Sequence, residues 1–244
     1  MDNSKSKGIL NQPYAFDRIN KPELIYRYKV RARIVSDAAK RYLGEKSNLK
    51  ILDFGSAEGL TLLELNELLP NSSFLGIEYS EELIQCAPKL PENIRIIYGD
   101  VCCLGKNVKN ESYDVVSALA ILEHLPNPLK AVSEAVNILQ PGGLFIATCP
   151  NPLWDDISTT LGLLQDDQHE TDFDKKGLIN IIGSAGLEFL AFDRFMWAPI
   201  SVLPYMKIPI SPLLSLKLDR IIRSLKLFNF LFVNQCIIAR KPLY

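Results

Sequence analysis

The stretch Ile51-Leu52-Asp53-Phe54-Gly55-Ser56-Ala57-Glu58-Gly59 ends an apolar run that begins at Leu49 and breaks it with closely spaced small residues. Leu60-Thr61-Leu62-Leu63 follows with the make-up of a helix. A strand, a tight turn and a helix in that order bring bare backbone and a helix N-terminus to one point, where a ligand can lie against the main chain. The spacing narrows the ligand. A dinucleotide fingerprint needs G-x-G-x-x-G, whereas the glycines here are Gly55 and Gly59. No hydride-transfer residue set accompanies them, so a nicotinamide-dependent oxidoreductase is disfavoured.

The segments downstream repeat the pattern of apolar run and turn. Phe74-Leu75-Gly76-Ile77-Glu78 ends in an acid 25 positions after Asp53. In a doubly wound sheet the end of the second strand lies beside the first turn, where a carboxylate can take both ribose hydroxyls. Ile94 to Tyr98 is a third run, closed by Gly99-Asp100-Val101. Tyr113 to Leu119 is a fourth, leading into Leu122-Glu123-His124-Leu125-Pro126. Leu139-Gln140-Pro141-Gly142-Gly143 then turns into Leu144 to Thr148.

Taken in order over residues 45 to 150, these phrases resemble the segments of class I S-adenosylmethionine-dependent methyltransferases of the small-molecule type. Their first motif reads D-x-G-x-G-x-G, with Ala57 in place of the middle glycine. The resemblance implies S-adenosyl-L-methionine as cofactor. It places Asp53, Gly55, Ala57 and Gly59 along its methionine part, Glu78 at the ribose and Asp100 at the adenine, with Ser56, Tyr79, Val101 and Ala118 as further cofactor-binding residues. The implied fold is α/β: a Rossmann-like, doubly wound, mostly parallel sheet of seven strands whose last strand runs antiparallel. Leu187 to Asp193 and Val233 to Ala239 supply the sixth and seventh runs. Helices are expected near 58–69, 80–88, 128–139 and 174–185, and alternation with strands means right-handed crossovers.

At 244 residues and 48% hydrophobic content the chain suits one domain with an ample core. A formal charge of −1 gives no sign of a polyanionic partner, and the basic residues lack the aromatic interleaving of a nucleic-acid groove. Five scattered cysteines without a C-x-x-C pair indicate neither a disulfide framework nor a zinc site. Met1 to Lys7 is polar, so a cytoplasmic protein is expected.

The expected organisation is one domain over 1–244. Residues 1–44 form an arm and a helix, 45–194 and 233–244 the core, and 195–232 an insertion. Residues 1–20 read as a polar arm. Pro22 to Leu43 carries Leu24, Tyr28, Ile34, Ala38 and Tyr42 at helical spacing, with Gly44 as a stop. Its charges Arg27, Lys29, Arg31, Arg33, Lys40 and Arg41 read as a solvated face, with substrate contact as the alternative. The insertion holds five basic residues against Asp219 alone, a net +4. At 100° per residue Leu214, Leu218, Ile221, Ile222, Leu225 and Phe228 share one side of a helix, with Asp219, Arg223 and Lys226 opposite. Three expectations are open for this segment. It packs on the domain or on a second subunit, giving a homodimer. It forms a lid over the acceptor. Or it lies peripherally on the inner face of a membrane.

His124 follows the fourth strand at the rim where ligands bind, and an ordinary pKa of about 6.5 suits a general base. Pocket wall is the competing role. His169, before the helix from Asp174, resembles a residue that lines the acceptor side in related enzymes. Both are the candidate catalytic residues. Asp166, Asp167, Glu170 and Asp172 cluster nearby, but consecutive acids in a polar loop are usually solvated, so no metal is expected. Ser117 to Leu122 is apolar and lacks the Asn-Pro-Pro-Tyr signature of enzymes that methylate amide or base nitrogens. A small-molecule acceptor is expected, oxygen ahead of carbon or nitrogen, lipid-linked or glycan-related. A methyltransferase-like ligand-binding or interaction protein without turnover is the alternative.

Overall fold

The computed structural model describes residues 12–44, 46–154, 171, 173–226 and 228–244. Within them one sheet holds β1 Lys50–Phe54, β2 Ser73–Glu78, β3 Ile94–Tyr98, β4 Tyr113–Leu119, β5 Leu139–Pro150, β6 Glu188–Trp197 and β7 Phe232–Arg240. The order is β3-β2-β1-β4-β5-β7-β6. The β3–β2, β2–β1, β1–β4 and β4–β5 ladders are parallel. β7 enters between β5 and β6 antiparallel to both, as expected for the last strand.

Side chains alternate across the strands, and both faces are covered. Leu52, Phe54, Val116, Ala118, Phe145 and Ala147 build one core with α6 Pro128–Ile138 and α7 Lys175–Ser184. Ile51, Val115, Leu144 and Ile146 build the other with α2 Pro22–Leu43 and α3 Leu60–Leu68. Burial on both faces explains why these strands read as continuous apolar runs. Neighbours β2 and β4 flank β1, so the winding reverses there. A crevice opens outside the carboxyl ends of β1 and β4.

Several expected boundaries shift. Helix α2 begins on Pro22 and ends at Gly44, whose φ of 71° stops it. Of the expected stripe only Ala38 is buried. The inner face is Tyr26, Val30, Val35 and Ala39, and the alanines let the helix lie close on the sheet. Residues 12–20, read as polar arm, form helix α1 Gln12–Asn20. Its buried residues are Ala15 and Arg18, so there was no apolar period to find. Helix α4 is only Glu81–Gln85, because Pro88 disfavours helical geometry before it. A short α5 spans Lys106–Lys109. Strand β5 starts at Leu139, and the Tyr113 to Val115 step of β4 faces a jump from Leu139 to Leu144. The expected turn at Pro141-Gly142-Gly143 is thus a bulge inside the strand.

In the insertion, α8 Ala198–Ser201 and a 3-10 turn Leu203–Met206 precede α9 Pro212–Ser224. Helix α9 turns its polar stripe inward. Ser215 and Asp219 are both 0% exposed, while Leu214 and Ile221 are 50% and 59% exposed. Asp219 accepts from the amides of Met196 (2.8 Å) and Trp197 (3.1 Å), and Ser215 bonds the Tyr26 hydroxyl of α2. Leu214, Ile221 and Leu225 therefore do not pack on the domain as one expectation had it, whereas Phe228 meets the Trp197 ring edge-on, centroids 6.4 Å apart. Buried amides at the end of β6 need an acceptor, and Asp219 on the polar side of α9 supplies it.

Candidate active site

The turn after β1 is shaped by three left-handed residues: Gly55 (φ 69°), Ala57 (φ 51°) and Gly59 (φ 86°). A Cβ on Gly55 would stand 2.5 Å from Ile121 Cδ1, and one on Gly59 2.7 Å from Ile96 Cδ1. The amides of Gly55 and Ser56 donate to the Ile77 carbonyl (2.8 and 3.2 Å), tying the turn to β2. Ala57 is a residue that does not favour its conformation, at a cost of about 1 kcal/mol. It is held by its amide, which donates to Glu78 Oε2 at 2.8 Å, and by its methyl, which packs with Ala15 of α1 and Leu83 of α4. The Ser56 hydroxyl lies beneath the turn against Gly76, which must be glycine to admit it.

The acids stand around this turn. Asp53 is buried and accepts from Ser117 Oγ at 2.6 Å. Burial pushes its carboxyl up to about 7, against the pull of the Ser117 hydroxyl and the Arg18 charge. A buried acid this reluctant to ionise gains strongly from an incoming cation such as an ammonium group. Glu78, half-buried at the end of β2, has Oε1 fixed by the Ser80 amide at 2.9 Å. Next to it Tyr79 stacks on Tyr98, ring centroids 5.5 Å apart. Asp100 Oδ1 accepts from the Cys102 amide at 2.7 Å, which orients its carboxylate after β3. Val101 is buried behind it, and Ala118 is buried in β4 beside Phe54. All ten residues expected at the cofactor therefore lie on β1, β2 and β4 or on the turns that leave β1, β2 and β3. They fit S-adenosylmethionine: bare backbone at the turn, a deep acid for an amino group, and outer acids at the ends of β2 and β3.

On the acceptor side, His124 is half-buried in the 3-10 turn Leu122–His124 after β4, its amide donating to the Ile121 carbonyl at 2.9 Å. The Thr171 amide reaches the Glu123 carbonyl at 3.2 Å. His169 and the acids Asp166, Asp167, Glu170 and Asp172 lie outside the described residues. Among the described residues no group of three His, Cys, Asp or Glu side chains could hold a metal ion.

Arginines from α1 and α2 line the same region: Arg18, which the sequence reading did not single out, and Arg27 and Arg31, which it gave to a solvated face with substrate contact as the alternative. Arg18 Nε lies 3.2 Å from Glu58 Oε1, its Nη1 donates to Glu58 Oε2 at 3.3 Å, and its Nη2 donates to Thr61 at 3.1 Å. Glu58 is fully buried inside the turn motif. A charge at such a position demands a cation, and that was the available signal. Arg27 Nη2 donates to the Tyr205 hydroxyl of the insertion at 2.6 Å. Arg31 is half-buried, with its Nε shut from solvent and without a hydrogen-bond partner. Arg27 and Arg31 thus leave the face expected to be solvated, whereas Lys29 and Arg33 pair with Glu64 and Asp37.

Residues 45–183 match the family model described as methyltransferase domain. The chain belongs to that methyltransferase family. A curated relative, demethylmenaquinone methyltransferase of Staphylococcus aureus, is 26% identical over 136 residues, covering 54% of this chain and 54% of that protein. The chain spans about half the length of the curated relatives it matches. The plantazolicin methyltransferase BpumL, solved with a triazolic desmethylPZN analog and SAH, superposes with a TM-score of 0.66 at 17% identity, covering 94% of this chain and 89% of that one. A SAM-dependent methyltransferase from Archaeoglobus fulgidus gives 0.60 at 18% identity, covering 95% and 100%. These structures share the fold with this methyltransferase domain, and S-adenosylmethionine is the cofactor its crevice fits.

Proposed function

We propose that this methyltransferase domain transfers the methyl group of S-adenosylmethionine to an oxygen atom of a small, lipid-linked or glycan-related acceptor taken up at an anionic membrane surface. The exposed apolar side of α9 carries this reading. A helix that buries Ser215 and Asp219 and presents Leu214, Ile221 and Leu225 to solvent, beside Lys217, Arg220 and Lys226, has the make-up of an interfacial helix. Val202, Tyr205, Met206 and Ile208 extend the exposed apolar surface of the insertion. Each basic residue at such a surface contributes about 1 kcal/mol, so a net +4 gives weak, salt-sensitive attachment. Among the described residues no helix is long and apolar enough to cross a membrane.

Bound, the cofactor supplies an activated methyl group that leaves by in-line displacement, so the protein mainly supplies alignment. Asp53 takes the amino group and the backbone of Gly55, Ser56, Ala57 and Gly59 lies along the methionine part. Glu78, with Tyr79 beside it, holds the ribose hydroxyls. Asp100 and Val101 receive the adenine, and Ala118 closes the floor. We assign removal of a hydroxyl proton from the acceptor to His124, with His169, which lies outside the described residues, as the second candidate base. The whole chain works as one domain in which 195–232 is the lid, its Tyr205 hydroxyl latched to Arg27 of α2. The protein acts on the cytoplasmic side.

Co-sedimentation with anionic and neutral vesicles at low salt tests the membrane part. Recovery only with anionic vesicles, lost at high salt, supports it. No recovery, together with a concentration-dependent dimer in solution, assigns the apolar face to a second copy instead. Incubation of a lipid extract with radiolabelled cofactor, followed by mass spectrometry of the labelled product, tests the acceptor. Cofactor binding without label in any fraction would leave the non-catalytic alternative.

A further inference from the structure

We infer that Arg27 and Arg31 of α2, with the Tyr205 hydroxyl of the insertion, bind a phosphoryl group carried by the methyl acceptor. The inference deepens the acceptor reading above and rests on methyl transfer taking place at the rim of this crevice. It starts from how the cations between residues 18 and 33 are neutralised. Arg18 pairs with Glu58, Lys21 with Asp17, Lys29 with Glu64 and Arg33 with Asp37. Arg27 and Arg31 have no ion pair among the described residues, and the Nε of each is shut from water without a hydrogen-bond partner. Four residues apart on one helix, they share a side, about 6 Å from each other along the axis. Arg27 shows what stands on that side. Its Nη2 donates to the Tyr205 hydroxyl at 2.6 Å, and its guanidinium lies 5.9 Å from the centre of the Tyr205 ring.

The run of α2 carries this pair to the ligand end of the sheet. Near the helix C-terminus the Tyr42 carbonyl accepts from Arg240 at 3.1 Å, and Arg240 is paired with Leu144, toward the amino end of β5. Near the N-terminus Tyr26 bonds Ser215 of α9, whose Asp219 holds the end of β6. That end is level with Pro150, since Asn234 of β7 pairs with both Phe195 and Pro150. Ligands of such sheets bind outside the carboxyl ends of the parallel strands, and the first turns of α2 therefore reach that rim with Tyr205 beside them.

Charge and donors select the ligand. Burial disfavours the charged form of Arg31, and Arg27 adds a like charge, while Tyr14 and Glu123 favour it without an ion pair to it. Arginine stays protonated in proteins, so two guanidinium groups stand one turn apart in want of an anion. A phosphoryl dianion matches both charges and offers oxygens to both planar forks, whereas a carboxylate matches one. Tyr205 accepts from Arg27 and so has its own O–H to donate to the same anion. Lys217, Arg220 and Lys226 are exposed on α9 and belong to a different surface.

Titration calorimetry with inorganic pyrophosphate as the probe, on protein loaded with S-adenosylhomocysteine, tests the inference. The wild type should bind pyrophosphate saturably. Loss of a charge-assisted contact predicts about 10- to 100-fold weaker binding in Arg27→Met and in Arg31→Met, and a several-fold loss in Tyr205→Phe. Affinity for S-adenosylhomocysteine should stay within about twofold in each, as should pyrophosphate affinity in a Lys217→Met, Arg220→Met control. Arg27→Lys and Arg31→Lys keep the charge without the fork, should lose less, and carry the test if the methionine variants do not fold. In the extract assay the labelled product should contain phosphorus, in the organic phase for a lipid phosphate and in the aqueous phase for a soluble one. No saturable binding by the wild type, or a phosphorus-free product, overturns the inference. An equal loss in the α9 control overturns it in favour of diffuse surface attraction. An equal loss of S-adenosylhomocysteine affinity overturns it and makes the two arginines supports of the crevice. Pyrophosphate binding without vesicle binding upholds it and removes only the membrane part of the proposed function.

Discussion

Two buried aspartates, one in the crevice and one in the insertion, have opposite uses. Asp219 accepts two backbone amides, from Met196 and Trp197. Asp53 accepts one hydroxyl, from Ser117, and has two arginines near it without an ion pair to either. Burial raises the pKa of both. Yet the carboxylate of Asp219 is matched by fixed donors, so it fastens α9 to the end of β6. That of Asp53 is undermatched until a cation arrives. Burial alone therefore does not mark a functional acid, and the inventory of donors does.

Removing each carboxylate separates the two uses most sharply. Asp219→Ala leaves two buried amides without an acceptor, at about 1–3 kcal/mol each. Chemical denaturation should show a loss of that order, with cofactor affinity retained once the protein is folded. Asp53→Asn should reverse the pattern: unchanged or higher stability, and at least about tenfold weaker S-adenosylhomocysteine binding. Equal stability losses in the two variants would erase the distinction.

Proton linkage sharpens the same contrast. The folded state holds the Asp53 proton up to about pH 7, whereas the unfolded chain releases it near the ordinary carboxyl value of 3.8. The native state then binds more protons between those limits, so this group lowers stability as pH rises through the window and adds no further change above it. The expected fall is on the order of a few kcal/mol. Asp53→Asn should flatten that part of the stability profile, leaving any slope due to Asp219, which has the same sign. Cofactor binding should tighten as pH rises from 6 to 8. Calorimetry in buffers of different ionisation enthalpy should register close to one proton released near pH 6.

The outer side of α9 offers a smaller effect that touches neither acid. Ile221→Glu with Leu225→Glu places charges at exposed positions, so melting should hardly change. Vesicle recovery should fall severalfold, and full recovery would remove α9 from the membrane contact. Smallest of all is Ala57→Gly. It relieves the left-handed alanine but removes the methyl packed on Ala15 and Leu83. The net should stay within about 1 kcal/mol in thermal melts.

What the sequence displayed follows from how each part is held. The strand ends near Asp53, Glu78, Asp100 and His124 were legible because short apolar runs closed by small or acidic residues are local patterns. The inward face of α9 was not. A helical period states that two faces differ, without stating which one is buried. That choice was made by the Met196 and Trp197 amides and by Tyr26, far away in the chain. Arg18 was hidden for a related reason. Its partner Glu58 is a charge brought near by folding, and α1 carries no apolar period to announce that it packs on the turn.

Trp197 of β6 and Phe232 of β7 are paired neighbours in the antiparallel ladder. The chain from 198 to 231 therefore departs and returns at almost the same point, beyond the end of the sheet. A segment closed in this way is an exchangeable head. Doubling its length adds only about 0.6 kcal/mol of closure entropy, and among the described residues no hydrogen bond joins it to the turns after β1, β2 or β3, where the cofactor is proposed to sit. A head from another member of the fold, grafted at Trp197 and Phe232 with an acid retained for the Met196 and Trp197 amides and hydroxyls retained for Tyr26 and Arg27 of α2, should transplant acceptor choice onto an unaltered cofactor crevice.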